Sequence, residues 1–187
     1  MGSDLCIRDS YGSVDIIDWG WFKILFVENK GMAWGASLND IIPFISEDLA
    51  KLLLSLIRVL AVIFIAFWLS RAVKSKAPKL QLVAVTLILA GALGNIIDSV
   101  FYGVLFSEST FNQLASFLPV DGGYAPLMFG HVVDMFQFPM FSWTWPNWLP
   151  FIGGNSFTFF EPVFNIADSS ISFGVILLLL QQRIPNV

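Results

Sequence analysis

FNIADSSISFG, residues 164–174, runs directly into VILLLLQQR, residues 175–183, and the reading of this stretch decides the fold class. An apolar run that ends on a basic residue has the form of one end of a membrane-spanning helix. Its opening, however, carries Asn165 and Asp168, three positions apart. A carboxylate at the bilayer centre costs about 2.5–3.5 kcal/mol on insertion scales, so such residues pair with something or perform a task.

The rest of the chain agrees with a membrane setting. Of 187 residues, 56% are hydrophobic, 16% aromatic and only 13% charged, and the mean hydropathy is +0.74. A soluble domain has about 25% charged residues. A net charge of −4 offers nothing to nucleic acid. Cys6 is the only cysteine and His131 the only histidine, which excludes an internal disulfide and any metal site built on several Cys or His. We therefore expect no metal and no cofactor.

Three spans are predicted, at 52–69, 80–101 and 162–180, each approaching the ~20 residues that cross ~30 Å of hydrocarbon. Pro162 suits the first turn of the third. Residues 1–18 hold four aspartates and no apolar core, so they form neither signal peptide nor span. WGWFKILFV, 19–27, is aromatic and β-prone, and ENKG follows as a turn signal, so 19–38 reads as a short sheet or hairpin. Arg71, Lys74, Lys76 and Lys79 crowd the loop between the first two spans, and Arg183 follows the third. The positive-inside bias puts these at the cytoplasm, leaving 1–48 and 107–161 outside. The outer segment 107–161 contains five prolines, and Trp143, Trp145 and Trp148. Tryptophan favours the headgroup region, so this segment is expected to lie on the bilayer. The whole reads as one membrane-embedded domain, 1–187, mainly α-helical, with a helix bundle, a small outer sheet and an aromatic-rich surface segment.

On this topology Asp98, Asp134 and Asp168 gather near the outer interface. Asp98 lies about three residues before the outer end of its helix. Asp168 lies about six residues inside its own, roughly 9 Å at ~1.5 Å per residue. Gly91, Asn95 and Asp98 share one helix face, and Asn165, Asp168 and Ser172 form a matching stripe. Two facing polar stripes imply a polar pocket, with Gly91 permitting close approach. A pair of aspartates sharing one proton can hydrolyse a peptide bond: the ionised partner takes a proton from water and the protonated one polarises the carbonyl. A Ser–Lys dyad on Lys23 or Lys30 is the competing hydrolytic arrangement. A proton-coupled transporter or channel subunit, or an inactive membrane scaffold, would account for membrane carboxylates in other ways.

Four blocks, VENKGMAWG (27–35), GALGNIIDS (91–99), HVVDMFQF (131–138) and FNIADSSIS (164–172), occur in the order found in bacterial lipoprotein signal peptidases, the signal peptidase II family. The sequence resembles that family, in its Bacteroidetes-like form, from about Trp19 onward. The resemblance implies an aspartic membrane endopeptidase of the cytoplasmic (inner) membrane, multi-pass, with its site on the extracytoplasmic side. It implies removal of signal peptides from diacylglyceryl-modified prolipoproteins, cut just before the lipobox cysteine. The catalytic pair falls on Asp134 and Asp168, and the supporting residues on Asn29, Asn95, Asp98 and Asn165. The implied partners are prolipoprotein substrates and membrane lipids, and the expected state is a monomer. The family's outer sheet and surface helix correspond to 19–38 and 107–161.

Two departures stand out. The family has four spans with a first helix before the sheet, whereas three are visible here. The expectation is that an apolar helix encoded upstream is missing or has been replaced. Many members also carry arginine after GNxxD, where this chain has Ser99. Arg58, in mid-span, is expected to supply that charge from the neighbouring helix by pairing with Asp98; snorkelling to the headgroups is the alternative. His131 is expected to be a solvated or interfacial residue.

Overall fold

A computed structural model describes residues 14–29, 42, 44–108 and 115–182. The element order is β1 Val14–Asp18, β2 Lys23–Asn29, α1 Glu47–Lys74, α2 Lys79–Ile97, a π-helical turn Asp98–Tyr102, α3 Gly103–Leu105, β3 Val132–Gln137, β4 Phe141–Thr144, β5 Ser156–Phe159 and α4 Ile166–Gln182. Lys30, Arg183, Cys6 and the 30–38 part of the expected hairpin lie outside the described residues. So does most of the block that follows Asn29.

Among the described residues two helices, α1 and the continuous stretch Lys79–Leu105, are long and apolar enough to cross a membrane; α4 is a shorter apolar helix. The α1 helix overruns the expected 52–69 at both ends because its termini are polar and well capped. Ser46 Oγ accepts the Leu49 N–H at 3.3 Å, Glu47 and Asp48 occupy the first turn, and Arg71 and Lys74 the last. Each charge sits where it complements the helix dipole. The helices bury little of their apolar surface internally; Leu60, Phe64, Phe67 and Ile63 all face outward. In water such a surface would aggregate, and in a bilayer it faces lipid of its own polarity.

The α2 and α4 helices run antiparallel at very close range. A Cβ on Gly91 would collide with the Ala167 carbonyl oxygen and lie 2.7 Å from Ile171 Cγ1. A Cβ on Gly174 would meet the Ala84 carbonyl oxygen at 2.6 Å. Ser170 Oγ donates to the Leu87 carbonyl at 2.9 Å, so the backbones are stitched as well as packed. The α4 face that meets α2 is therefore Ala167, Ser170, Ile171 and Gly174. Ser172, expected in the polar stripe, is exposed instead.

The outer sheet has the order β1-β2-β3, all antiparallel. Its β1–β2 hairpin turn is WGWF, 19–22, while the expected ENKG turn runs into residues 30 and 31, outside the described residues. Gly20 adopts φ +81°, its N–H donates to Asp18 Oδ1 at 2.8 Å, and the Trp19 N–H donates to the Phe22 carbonyl at 2.9 Å. Glu28 and Asn29 consequently stay in strand β2, paired with Val133 and Val132. Within the expected outer segment, residues 115–161 form strands and turns, not a surface helix.

The π-helical turn positions the third strand. Widening the helix after Ile97 frees carbonyl groups for partners outside it. The Gly130 N–H donates to the Ser99 carbonyl at 3.0 Å, Met128 N–H to Val100 at 3.2 Å, and Ala125 N–H to Gly103 at 3.0 Å. Gly130 must be glycine here, since a Cβ would run into the Asp98 carbonyl oxygen and lie 2.9 Å from the Gly103 nitrogen. From α1, buried Ser55 donates to the Met128 carbonyl at 2.8 Å. The loop is thus fixed from two helices just before it becomes β3.

Candidate active site

Asp134 lies on β3, opposite Val27, and is only 4% exposed. Strand alternation would let such a carboxylate face either side; the docking of the preceding loop on the π-turn selects the buried side. Each of its oxygens has an amide partner. Asn29 Nδ2 donates to Oδ2 at 3.0 Å, and Asn165 Nδ2 donates to Oδ1 at 2.9 Å. Burial is the largest influence on the Asp134 carboxyl and pushes it up to about 6; the Asn29 amide opposes the shift and the nearby Asp168 charge adds to it.

Asp168 occupies the first turn of α4, not a position some six residues deep. The helix starts late because Phe164 is held in the sheet: Phe136 N–H donates to the Phe164 carbonyl at 2.8 Å and Phe164 N–H returns to Phe136 at 2.9 Å. Pro162 therefore precedes the helix rather than opening it. Asn165 and Asp168 form a reciprocal cap: Asp168 N–H donates to Asn165 Oδ1 at 2.9 Å, and Asn165 N–H to Asp168 Oδ2 at 3.4 Å. This is the capping-box arrangement with Asn and Asp in its two places. Asn95 Nδ2, from α2, donates to Asp168 Oδ1 at 2.9 Å, and Asn165 Nδ2 also reaches Asn95 Oδ1 at 3.2 Å. Asn165 thus touches Asp134, Asp168 and Asn95 at once.

The remaining expected residues divide. Asp98 Oδ2 accepts the Val133 N–H at 3.3 Å, so it holds the catalytic-strand candidate β3 against α2. Arg58 Nη1 donates to Ser99 Oγ at 2.6 Å, and Ser99 Oγ donates on to the Asn95 carbonyl at 2.9 Å. Among the described residues this Arg58–Ser99 bond stands in place of the expected Arg58–Asp98 pair. The guanidinium still acts on the site, since its charge favours the ionised form of Asp134. On the peptidase activity that the resemblance implies, Arg58→Leu should lower cleavage about tenfold, or ~1.4 kcal/mol. Adding Ser99→Arg to that variant should recover part of the loss; absence of any recovery in kcat/KM would remove charge supply as the reason for Arg58.

His131 is a correction. It is 6% exposed, and Nδ1 lies 2.8 Å from Glu28 Oε2, with the Tyr124 hydroxyl accepting the His131 main-chain N–H at 2.8 Å and the Tyr124 ring 4.9 Å away. Glu28 and His131 flank Asn29 and Asp134, and their pairing fixes the β2–β3 register that brings those two together. Lys23 sits at the far end of β2, opposite Gln137, in an ion pair with Asp18 at 2.8 Å. It lies four residues from Val27, about 13 Å along a strand, so it is no base for a serine at this site. Among the described residues no group of three or more His, Cys, Asp or Glu is arranged to hold a metal.

Fold and site define a helical membrane protein in which a small sheet brings one aspartate against another at a helix start, bridged by asparagines. The chain belongs to the signal peptidase II family: the sequence model described as "Signal peptidase (SPase) II" matches residues 4–184. It is 48% identical over 161 residues to a lipoprotein signal peptidase of Porphyromonas gingivalis, covering 86% of this chain and 66% of that protein. A lipoprotein signal peptidase of Amoebophilus asiaticus is 34% identical over 164 residues, covering 87% and 62%. The chain therefore spans about two thirds or slightly less of the length of these relatives. A solved structure entitled "Bacterial membrane enzyme structure by the in meso method at 1.9 A resolution" shares the fold, with a TM-score of 0.52 at 22% identity over 97% of this chain and 83% of that one.

Proposed function

We propose that this protein is an aspartic endopeptidase that removes signal peptides from diacylglyceryl-modified prolipoproteins, cutting before the lipobox cysteine. The observation that carries the reading is Asn165, whose amide binds Asp134 while its carbonyl oxygen caps the helix at Asp168. Relatives bearing the name lipoprotein signal peptidase support the choice of substrate.

In this reading Asp134 and Asp168 share one proton. Burial suits Asp134 to hold it and to donate a hydrogen bond to the scissile carbonyl oxygen. Ionised Asp168 takes a proton from a water molecule, whose oxygen attacks the carbonyl carbon. Collapse of the tetrahedral species breaks the C–N bond, and Asp168 returns the proton to the leaving nitrogen. The products are a signal peptide with a free carboxyl group and a lipoprotein with a free cysteine amine. Asn29, Asn95 and Asn165 keep both carboxylates in place; Asp98 and the Glu28–His131 pair position β3. The site faces the extracytoplasmic side of the cytoplasmic membrane, opposite the basic α1–α2 loop, within one membrane-embedded unit acting as a monomer.

The test is cleavage of a synthetic lipobox peptide by the purified protein in lipid. Release of the signal fragment from the diacylglyceryl-cysteine peptide, but not from its unmodified counterpart, is expected. Equal cleavage of both peptides, or of neither, would overturn the substrate assignment.

A further inference from the structure

The segment linking β3 to α4 has a composition of its own. From Phe138 to Phe160 there is no Asp, Glu, Lys, Arg or His, and nine of these 23 residues are Phe or Trp. Among the described residues its strands β4 and β5 pair only with each other, in the register Phe141↔Phe159, Ser142↔Thr158, Trp143↔Phe157 and Thr144↔Ser156. Directly opposed residues share a face, and successive residues alternate faces. One face is therefore wholly aromatic and the other wholly hydroxyl. Phe141 stacks on Phe159 at 5.0 Å and Trp143 lies 4.6 Å from Phe157, while Ser142 and Thr158 hydroxyls meet at 2.9 Å on the reverse.

The aromatic face packs sideways along the strands and leaves its outer surface uncovered. Phe141, Trp143, Phe157 and Phe159 remain 53, 36, 40 and 43% exposed. At the loop end Trp148 and Phe151 are exposed as well, Phe151 completely and at φ +70°. A lone two-stranded hairpin is marginal in water. A contiguous apolar face on it marks a docking surface.

Position and chemistry select the occupant. The hairpin is closed at its base by Gln137 Nε2, which donates to the Glu161 carbonyl at 2.7 Å, and by the Phe136–Phe164 bridge. The apolar helix α4 starts just beyond, at Ile166, with Ile166 and Phe173 facing outward. The aromatic face and the lipid-facing side of α4 are thus neighbours along the chain. Aromatic rings backed by hydroxyls, without a single charge, match the boundary between headgroups and acyl chains. A water-facing protein interface would carry a polar, charged rim.

The geometry points to the β4–β5 hairpin as an interfacial anchor that docks its aromatic face into the lipid surface beside Asp134 and Asp168. The anchor is inserted between the strand that bears one aspartate and the helix that bears the other, so it sets the height of both relative to the bilayer.

The experiment uses the full chain in phosphatidylcholine–phosphatidylglycerol nanodiscs, with Cys6→Ser as background. Nitroxide labels are placed through Trp143→Cys and Phe157→Cys on the aromatic face, and Ser142→Cys and Thr158→Cys on the hydroxyl face. Collision with oxygen, which partitions into lipid, is compared with collision with a water-soluble nickel chelate. The oxygen-to-nickel ratio should be about fivefold or more higher on the aromatic face, as for a surface buried ~5–10 Å at the boundary. Phe151→Cys, at a fully exposed side chain, reports the same docking without disturbing the face and should also favour oxygen. Equal ratios on both faces, with position 151 open to nickel, would overturn the anchor. So would spin–spin broadening at 143 and 157 that disappears on dilution with unlabelled protein, because a second copy would then be the occupant.

Discussion

Asp134→Asn and Asp168→Asn should each lower lipobox-peptide cleavage by at least ~10³-fold, within the range of effects for lost acid–base groups. The double variant should be scarcely worse than either single one, because residues that act as a unit lose their contribution together. Asparagine keeps the shape and can retain one amide contact, but it cannot pass a proton. Asp134→Asn also has a signature in stability. Burial raises the Asp134 carboxyl from 3.8 to about 6, so the folded state holds that proton more tightly than the unfolded chain does. The stabilisation is complete below about 4 and is lost as pH rises through about 6. The parent's thermal midpoint should therefore carry a decline between these values that the Asp134→Asn variant lacks. Activity above a few per cent in either single variant would remove that residue from the chemistry.

Asn165→Ala is the second large effect, expected at about 10²-fold in kcat, since it removes preorganised hydrogen bonding at both aspartates. It should also cost about 1 kcal/mol of stability by uncapping α4. The two losses can be separated. Asn165→Asp keeps an oxygen to accept the Asp168 N–H and so should retain the cap, yet it replaces the amide donor to Asp134 with a third carboxylate. That variant should be as inactive as Asn165→Ala, and its thermal midpoint should fall with rising pH as the added buried carboxylate ionises. A stable and active Asn165→Asp would show that the amide bridge is dispensable.

The helical half of this site was legible from the residues themselves, whereas the role of Asp134 was legible only through the resemblance of HVVDMFQF, because its partners Asn29 and Asn165 are distant in sequence. The polar residues interrupt apolar helices, and Gly91, Asn95 and Asp98 repeat on one helix face, so their convergence follows from span topology. The depth of Asp168 was misread for a reason in the fold: Phe164 belongs to the sheet through Phe136, and that delays the helix past Pro162. The π-turn at Asp98–Tyr102 left no periodic signature, because it adds one residue within an apolar stretch. The burial of His131 could not be foreseen, since its partner Glu28 is 103 residues away. Strand β1 was hidden by its acidic residues, which obscured the alternation of VDIID. The aromatic content of 138–160 was plain, but only the register of β4 on β5 divides it into an aromatic and a hydroxyl face.

The shared-proton pair is tested most directly by kcat/KM against pH, which reports ionisations of the free enzyme. The upper ionisation should fall near the elevated Asp134 value of about 6. Cleavage should decline as pH rises through that ionisation, when the shared proton is lost, and decline again on the acid side when a second proton binds. A rate that instead climbs from pH 6 to 9, as a serine activated by a lysine would require, would contradict the aspartate pair.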